Sequence, residues 1–225
     1  MSHNIGEKGM VMIEIQNLTK VFQEQTVLQN INATFDAGLI HGVIGKNGAG
    51  KTVLLRLLCG LMHPSKGQVI VDGKQLGKDV DFAPDAGIII ETPCFLPYLS
   101  GFQNLKELAS IRNIISKEEI AEAMEQVKLD PSSRKHVGKY SLGMRQRLGI
   151  AQAIMERPRY LILDEPMNGL DTQGMEDVRE LLQKQKETGV TVILASHSME
   201  DIRLLCDTVH RIQDASLIPC TTEFS

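Results

Sequence analysis

The sequence predicts an α/β fold with a mostly parallel sheet, a smaller antiparallel β layer and an inserted α-helical subdomain. Apolar runs at residues 39–44, 160–163 and 190–195 are continuous, as is typical of buried parallel strands. β-forming runs near the start end in turn residues, and the stretch between about 92 and 156 has helical periodicity. Together these three observations favour two kinds of strand arrangement joined to a helical insertion.

Length, charge and cysteine content restrict the function. The 225 residues, 42% of them hydrophobic, are enough for one large core. A net charge of −4 does not indicate a basic surface, although it leaves room for a local basic patch, and no nucleic-acid partner is expected. The cysteines at 59, 94, 206 and 220 lack metal-ligand spacing, which favours reduced thiols in a cytosolic protein. No apolar run approaches the roughly 18 residues of a membrane span.

The elements follow in order along one predicted domain, residues 10–225, after a polar stretch at 1–9 interpreted as a disordered tail or cloning remnant. Residues 11–16, 27–35 and 68–71 are rich in β-formers, and the last run ends at Asp72-Gly73, a hairpin turn. We therefore assign these runs to the antiparallel layer.

The helical subdomain, about residues 92–156, has three predicted helices. The first covers about 102–113. The second begins at a capping box of Ser116 and Glu119, after which apolar residues at one-face spacing follow (Ile120, Ala123, Met124 and Val127). The third runs from about Ser141 to Met155.

A glycine-rich loop supplies the first chemical motif. Residues 45–52 fit G-x-x-x-x-G-K-[ST] between an apolar run and a helix-like stretch, an arrangement whose backbone N–H groups and helix dipole bind phosphate. Lys51 can reach the β- and γ-phosphates, and the Thr52 hydroxyl can ligate Mg²⁺. The predicted nucleotide contacts are Gly45, Lys46, Asn47, Gly48, Ala49, Gly50, Lys51, Thr52 and Val53.

Two carboxylates end the apolar run at 160–163. Asp164 beside the phosphate loop can hold Mg²⁺, which leaves Glu165 free to polarise an attacking water. A strand that simply ends in an acidic turn is the alternative for this run alone. The phosphate loop upstream makes the chemical interpretation the better one.

The chain from about Val11 to Ile212 resembles the ATP-binding cassette (ABC) ATPases, a family of the P-loop NTPase fold. Besides the two motifs above, residues 141–147 (Ser-Leu-Gly-Met-Arg-Gln-Arg) are similar to the family's L-S-G-G-Q signature. Residues 168–171 resemble its D-loop and Ser196-His197 its switch histidine. The resemblance implies ATP and Mg²⁺ as cofactors and hydrolysis of ATP to ADP and phosphate.

The signature departs from the usual motif at Tyr140, Leu142 and Met144 but keeps Ser141 and Gly143. The resemblance implies that Ser141 and Gly143 contact the nucleotide held by a second copy, in a head-to-tail dimer. A helix start suits an anion, although Ser141 can also be a plain N-cap, and both interpretations can hold together. The family's use of Asp171, linking the two sites, is implied in the same way.

Glu91 stands where the family usually has a glutamine that contacts Mg²⁺ and water. A carboxylate is also an oxygen ligand, so Glu91 is a candidate metal residue beside Thr52 and Asp164, but it adds negative charge opposite the triphosphate. The stretch around it, residues 90–101, with Tyr140 to Met144, resembles the branch that serves peptide-antibiotic immunity and bacitracin-type export.

Two further site residues come from the resemblance. His197 is expected to brace the γ-phosphate and the attacking water, with a core histidine as the alternative. Phe22 is expected to stack on adenine, with an ordinary core phenylalanine as the alternative. The catalytic set is then Glu165, His197 and Lys51.

The family's cycle moves a membrane partner, so separate transmembrane permease subunits are expected, with the chain peripheral on the cytoplasmic face of the cell membrane. Residues 92–101 form a candidate docking loop, or else a locally packed boundary segment. An ABC-type ATPase that powers nucleic-acid maintenance or translation is the alternative function. That alternative predicts a long coiled coil or a second cassette, and the sequence contains neither.

Overall fold

A computed structural model of the chain describes residues 12–91 and 94–220. In chain order the strands are β1 (Ile13–Phe22), β2 (Gln25–Phe35), β3 (Ile40–Ile44), β4 (Lys66–Val71), β5 (Lys74–Gln75), β6 (Ala86–Ile89), β7 (Tyr160–Asp164), β8 (Thr191–Ala195), β9 (Thr208–Gln213) and β10 (Ser216–Cys220). The helices are α1 (Lys51–Cys59), α2 (Gly101–Arg112), α3 (Lys117–Gln126), α4 (Leu142–Ile154), α5 (Thr172–Glu187) and α6 (Met199–Leu205). The tail predicted at residues 1–9 lies outside the described residues.

The antiparallel layer is confirmed as a four-stranded sheet of order β2-β1-β4-β5. Its central strand β1 pairs with both neighbours, since Ile13 lies opposite Phe35 on one side and Val71 on the other. The turn at Asp72-Gly73 joins β4 to β5, as the sequence predicts.

The second sheet has six strands in the order β10-β9-β3-β8-β7-β6. Every neighbouring pair is parallel except β9 with β10. The predicted strands β3, β7 and β8 are adjacent at its centre and buried along their whole length, which explains their continuous apolar sequence. Their carboxyl ends therefore meet at one edge.

Alternating residues of β7 pack into different layers. Leu161 and Leu163 join a cluster formed with α2, α3, α4 and α5. Tyr160 and Ile162 join a second cluster that contains the leucines of α1 and the inner face of the antiparallel layer. The parallel sheet is thus covered on both faces, and α1 packs in the same cluster as both sheets.

The helical segment connects two neighbouring strands, β6 and β7. Its three helices begin at serine caps: Ser100 and Ser116 both form capping boxes, and Ser141 is the N-cap of α4. The helices share one hydrophobic cluster with the parallel sheet. The helical subdomain therefore does not have a separate core.

Within the described ranges, no helix combines the length and apolar character needed to cross a membrane.

A buried histidine lies at the centre of the parallel sheet. His41 in β3 is 1% exposed. Its Nε2 donates to the Asp36 carbonyl at 2.8 Å, so the neutral ring accepts at Nδ1 from the Thr208 hydroxyl at 2.7 Å. Burial lowers the pKa of His41 below its ordinary value of 6.5, and burial together with His41 lowers the pKa of His210.

This burial predicts a loss of stability in mild acid. Below about pH 6.5 the unfolded chain binds a proton at His41 that the folded chain does not. The free energy of unfolding should therefore decrease as the pH is lowered through this region. We expect His41→Gln to lose less stability than the wild type between pH 7.5 and 5.5 in urea unfolding. An equal loss in both proteins would contradict the assignment.

Candidate nucleotide-binding site

The glycine-rich loop connects the end of β3 to the start of α1. Gly48 and Gly50 have φ of 77° and 106°, in the left-handed region that favours glycine. A Cβ on Gly50 would lie 2.9 Å from Cγ1 of Val27, so the loop passes close to β2. The N-cap Gly50 offers α1 no side-chain cap, and the first N–H groups of the helix therefore remain available to an anion.

Lys51 folds back over this loop. It is 8% exposed, and its Nζ donates to the Gly45 carbonyl at 2.9 Å. The same ammonium lies 3.9 Å from Oε1 of Glu165, so it faces the carboxylate edge of the sheet. This arrangement places one positive charge between the loop and the acidic residues that follow β7.

The two carboxylates at the end of β7 have different partners. Oδ2 of Asp164 accepts from the Thr52 hydroxyl at 2.6 Å. Glu165 has φ of 50° and turns its side chain toward His197, whose Nδ1 lies 2.7 Å from Oε2. The separate roles of the two acids, Asp164 at the metal and Glu165 at the water, stay a prediction.

His197 is not a core residue. Its side chain is 63% exposed, and its backbone N–H also donates to Oε2 of Glu165 at 3.3 Å. The β7 and β8 strand ends thus bring together an acid and an imidazole beside the phosphate loop.

A cavity of about 540 Å³ lies over the loop, α1 and β7. The residues that line it are Phe22, Gln25, Val27, Lys46, Asn47, Gly48, Gly50, Lys51, Thr52, Val53, Asp164 and Glu165. Two of these residues, Gln25 and Val27, belong to none of the sequence motifs. The pairing of β1 with β2 brings them to the site.

Phe22 at the end of β1 is 41% exposed, which excludes the alternative of a core phenylalanine. The Lys20 ammonium lies 5.0 Å from its ring centroid and also donates to the His63 carbonyl at 2.8 Å. An exposed aromatic ring at the mouth of the cavity suits stacking on a base, and its adenine role stays a prediction.

Ser141 and Gly143 lie elsewhere. Oγ of Ser141 accepts from the Met144 N–H at 3.1 Å, so the serine is an N-cap. None of the described residues that line the cavity comes from α4. Within one chain, the helix tip predicted to contact nucleotide does not reach the chain's own phosphate loop.

Glu91 pairs with a residue that the sequence did not single out. Its Oε1 lies 2.7 Å from Nη2 of Arg56, one turn after Thr52 on α1. The Glu91 side chain is 62% exposed and is not among the described residues that line the cavity. Its predicted role as a metal ligand therefore requires the side chain to leave Arg56.

These features define an α/β protein that binds a nucleoside triphosphate. Comparison with known proteins identifies the family, since the ABC transporter family model matches residues 28–168. The chain is 47% identical over 196 residues to the ABC transporter ATP-binding protein YybJ of Bacillus subtilis (strain 168), covering 87% of this chain and 90% of the relative.

Two further comparisons agree. The bacitracin transport ATP-binding protein BcrA of Enterococcus faecalis is 41% identical over 209 residues, covering 92% of this chain and 68% of BcrA. A solved ATP-binding subunit of an ABC transporter superposes with a TM-score of 0.84 at 26% identity, covering 94% of this chain and 90% of that one. The chain belongs to the ABC transporter family and is an ATP-binding, ATP-hydrolysing subunit of such a transporter.

Proposed function

We propose that the chain hydrolyses ATP in a pocket completed by a second, head-to-tail copy, and that closure of this dimer drives export through separate membrane subunits. The proposal depends on one observation. Glu165 is held at the phosphate loop by His197, whereas the Ser141 helix tip is absent from the described lining of the same chain's cavity. Each chain then presents one half of a site and lacks the other.

The residues at the loop divide the chemistry between them. Lys51 and the loop N–H groups stabilise negative charge on the transferred phosphoryl group. Glu165 orients or deprotonates the attacking water, and His197 at 2.7 Å from Oε2 fixes that carboxylate.

The donor set at α1 and β7 fits magnesium. The Thr52 hydroxyl and the Asp164 carboxylate lie 2.6 Å apart and are oxygen ligands, which Mg²⁺ prefers. Bound there, the ion would neutralise charge on the β- and γ-phosphates. Glu91 would join this set only after release from Arg56.

The second copy contributes the start of α4. Ser141 caps that helix with its side chain, and the helix dipole favours an anion at the same end. ATP that touches both copies stabilises the closed dimer, and loss of the γ-phosphate removes contacts made only in that state. The cycle of closing and opening is the mechanical output.

The docking segment for the membrane partner follows β6. Of the predicted loop, Thr92 and Pro93 lie outside the described residues, while Leu96 and Tyr98 are 44% and 63% exposed. Apolar side chains presented to solvent suit a protein partner. Because BcrA is named for bacitracin transport, we infer export of a peptide antibiotic or a similar amphiphile, with the chain peripheral on the cytoplasmic face.

Purification of the tagged chain from its native membranes, with and without ATP and vanadate, tests this function. We expect a multispanning protein to co-purify, and Tyr98→Asp to weaken its recovery. Ile218→Asp is the matched control, because Ile218 is 47% exposed on β10, at the opposite edge of the sheet from β6. Recovery of ribosomes or nucleic acid instead would favour the alternative function.

Glu91→Gln tests the unusual acid. The ion pair joins a half-buried Arg56 to an exposed Glu91 and contributes about 0–1 kcal/mol, so the fold should tolerate its loss. We expect nucleotide affinity to be retained and the rate of ATP turnover to change modestly, within roughly tenfold. Complete loss of ATP binding would show that Glu91 has a different role.

A further inference from the structure

A lysine on β1 lies over the ring of Phe22. The Lys20 ammonium is 5.0 Å from the ring centroid, a distance at which a cation is attracted to the face of an aromatic ring. Phe22 lines the cavity over the phosphate loop, and Lys20 is not among the described residues that line it. The ring therefore faces the cavity, while the ammonium contacts the ring from outside the cavity.

The rest of the protein gives the Phe22 ring little support. Phe22 is the last residue of β1, where it lies opposite Gln25 of β2. Among the described residues, it joins none of the hydrophobic clusters. An exposed side chain at the end of a strand pair exchanges between rotamers unless a neighbour restricts it. The contact with Lys20 supplies such a restriction.

Lys20 is itself fixed by hydrogen bonds. Its side chain is half-buried, and Nζ donates to the His63 carbonyl at 2.8 Å. The residues on either side of it are bonded to the same segment. The Ser65 N–H donates to the Thr19 carbonyl at 2.8 Å, and the Val21 N–H donates to Oγ of Ser65 at 3.1 Å. The ammonium is thus held where the end of β1 meets residues 63–65.

Residues 63–65 follow α1, the helix that starts at the phosphate loop. This helix runs from Lys51 to Cys59, and its leucines are buried in the cluster that contains residues of both sheets. A closely packed helix has few alternative positions, so the segment that follows it is also fixed relative to the loop. Lys20 therefore connects the Phe22 ring to the part of the protein that binds phosphate.

We propose that Lys20 is a positioning residue that orders the Phe22 ring for the base of the nucleotide. The inference rests on the proposed function, because it requires adenine to stack on Phe22 while the phosphates lie on the loop. The base stacks on the face of the ring opposite the ammonium. A ring that is already ordered loses less freedom when the base binds, so Lys20 increases the affinity for ATP without taking part in hydrolysis.

Calorimetric titration of the full chain with ATP and with tripolyphosphate, both in the presence of Mg²⁺, tests the inference. Tripolyphosphate has no base, so the comparison separates a role at the base from a role at the phosphates. Lys20→Met removes the charge, whereas Lys20→Arg keeps a cation that can stack on the ring. Lys74→Met is the matched control, because Lys74 is exposed on β5 of the same antiparallel sheet. Thermal unfolding of each variant checks the fold.

Relative to Lys74→Met, we expect Lys20→Met to weaken ATP binding about two- to fivefold, the usual effect of an exposed cation–π contact. Its affinity for tripolyphosphate should stay unchanged, and Lys20→Arg should bind ATP almost as the wild type does. In ATPase assays with the membrane subunits, the loss should appear in KM and not in kcat. When Phe22→Leu has already removed the ring, Lys20→Met should have no further effect on ATP binding.

Two results for Lys20→Met would overturn the inference: equal losses of affinity for ATP and tripolyphosphate, or an unchanged affinity for ATP. The first would assign the ammonium to the phosphates, and the second would leave the contact without a function. Wild-type ATP affinity in Phe22→Leu would refute the stacking of adenine, and the role of Lys20 with it. A wild type that hydrolyses ATP as a monomer would refute only the proposed shared site, because the binding measurement needs one chain.

Discussion

Replacement of Glu165 by glutamine is expected to reduce the turnover of ATP by about 10²–10⁴-fold, the usual contribution of a positioned general base. The amide keeps the size of the side chain but cannot accept the water proton. Nucleotide should still bind, because Lys51 and the loop N–H groups are untouched. Phosphate release measured over a range of ATP concentrations would show a loss in kcat with little change in the affinity for ATP.

A matched substitution controls for the change of charge. Glu187 is exposed at the end of α5, and Glu187→Gln should leave turnover unchanged. If Glu165→Gln retained wild-type turnover, His197 or another group would have to activate the water. The 2.7 Å contact between Glu165 and His197 would then be structural only.

Gly87→Ala should strongly destabilise the fold. A Cβ on Gly87 would lie 1.9 Å from the Ala153 carbonyl oxygen, so β6 and α4 would have to separate by more than an ångström. Because the obstacle is backbone of a buried helix, we expect the free energy of unfolding to fall by about 3 kcal/mol, the upper part of the usual range for overpacking. Urea unfolding monitored by circular dichroism measures it.

Gly42→Ala supplies the comparison within the same sheet. There a Cβ would meet Cys206 Sγ at 2.8 Å and Ile202 Cδ1 at 3.0 Å, both at the ends of side chains that can move. We expect a clearly smaller loss of stability from this variant. Equal losses would mean that β6 and α4 adapt as easily as the two side chains.

The parts of the site that are contiguous in sequence were predictable from it. The phosphate loop requires glycine at specific backbone positions, and the left-handed conformations of Gly48 and Gly50 agree with this requirement. The run before Asp164 identified a buried strand, and the side-by-side arrangement of β3, β7 and β8 then placed Asp164 next to Thr52. Ser141 was predictable as a helix start because capping is a local interaction.

Contacts between distant segments were not predictable. The sequence around Arg56 does not indicate that it pairs with Glu91, because the pair depends on where β6 ends relative to α1. Leu142 packs against Gly169 only because α4 crosses the loop that follows Glu165. The sequence also does not predict strand β10. This strand is a half-exposed edge strand, and edge strands lack the continuous apolar sequence of central strands.

Each working site, in the proposed dimer, combines the phosphate loop of one chain with the Ser141 helix tip of another. Two variants that are each expected to be inactive, Lys51→Ala and Ser141→Arg, test this shared site. The measurement is the ATPase rate of their equal mixture. A mixed dimer regains one site with an intact Lys51 and an intact Ser141, so we expect the mixture to recover activity that neither variant has alone. A mixture as inactive as its components, although both fold and associate, would contradict the shared site.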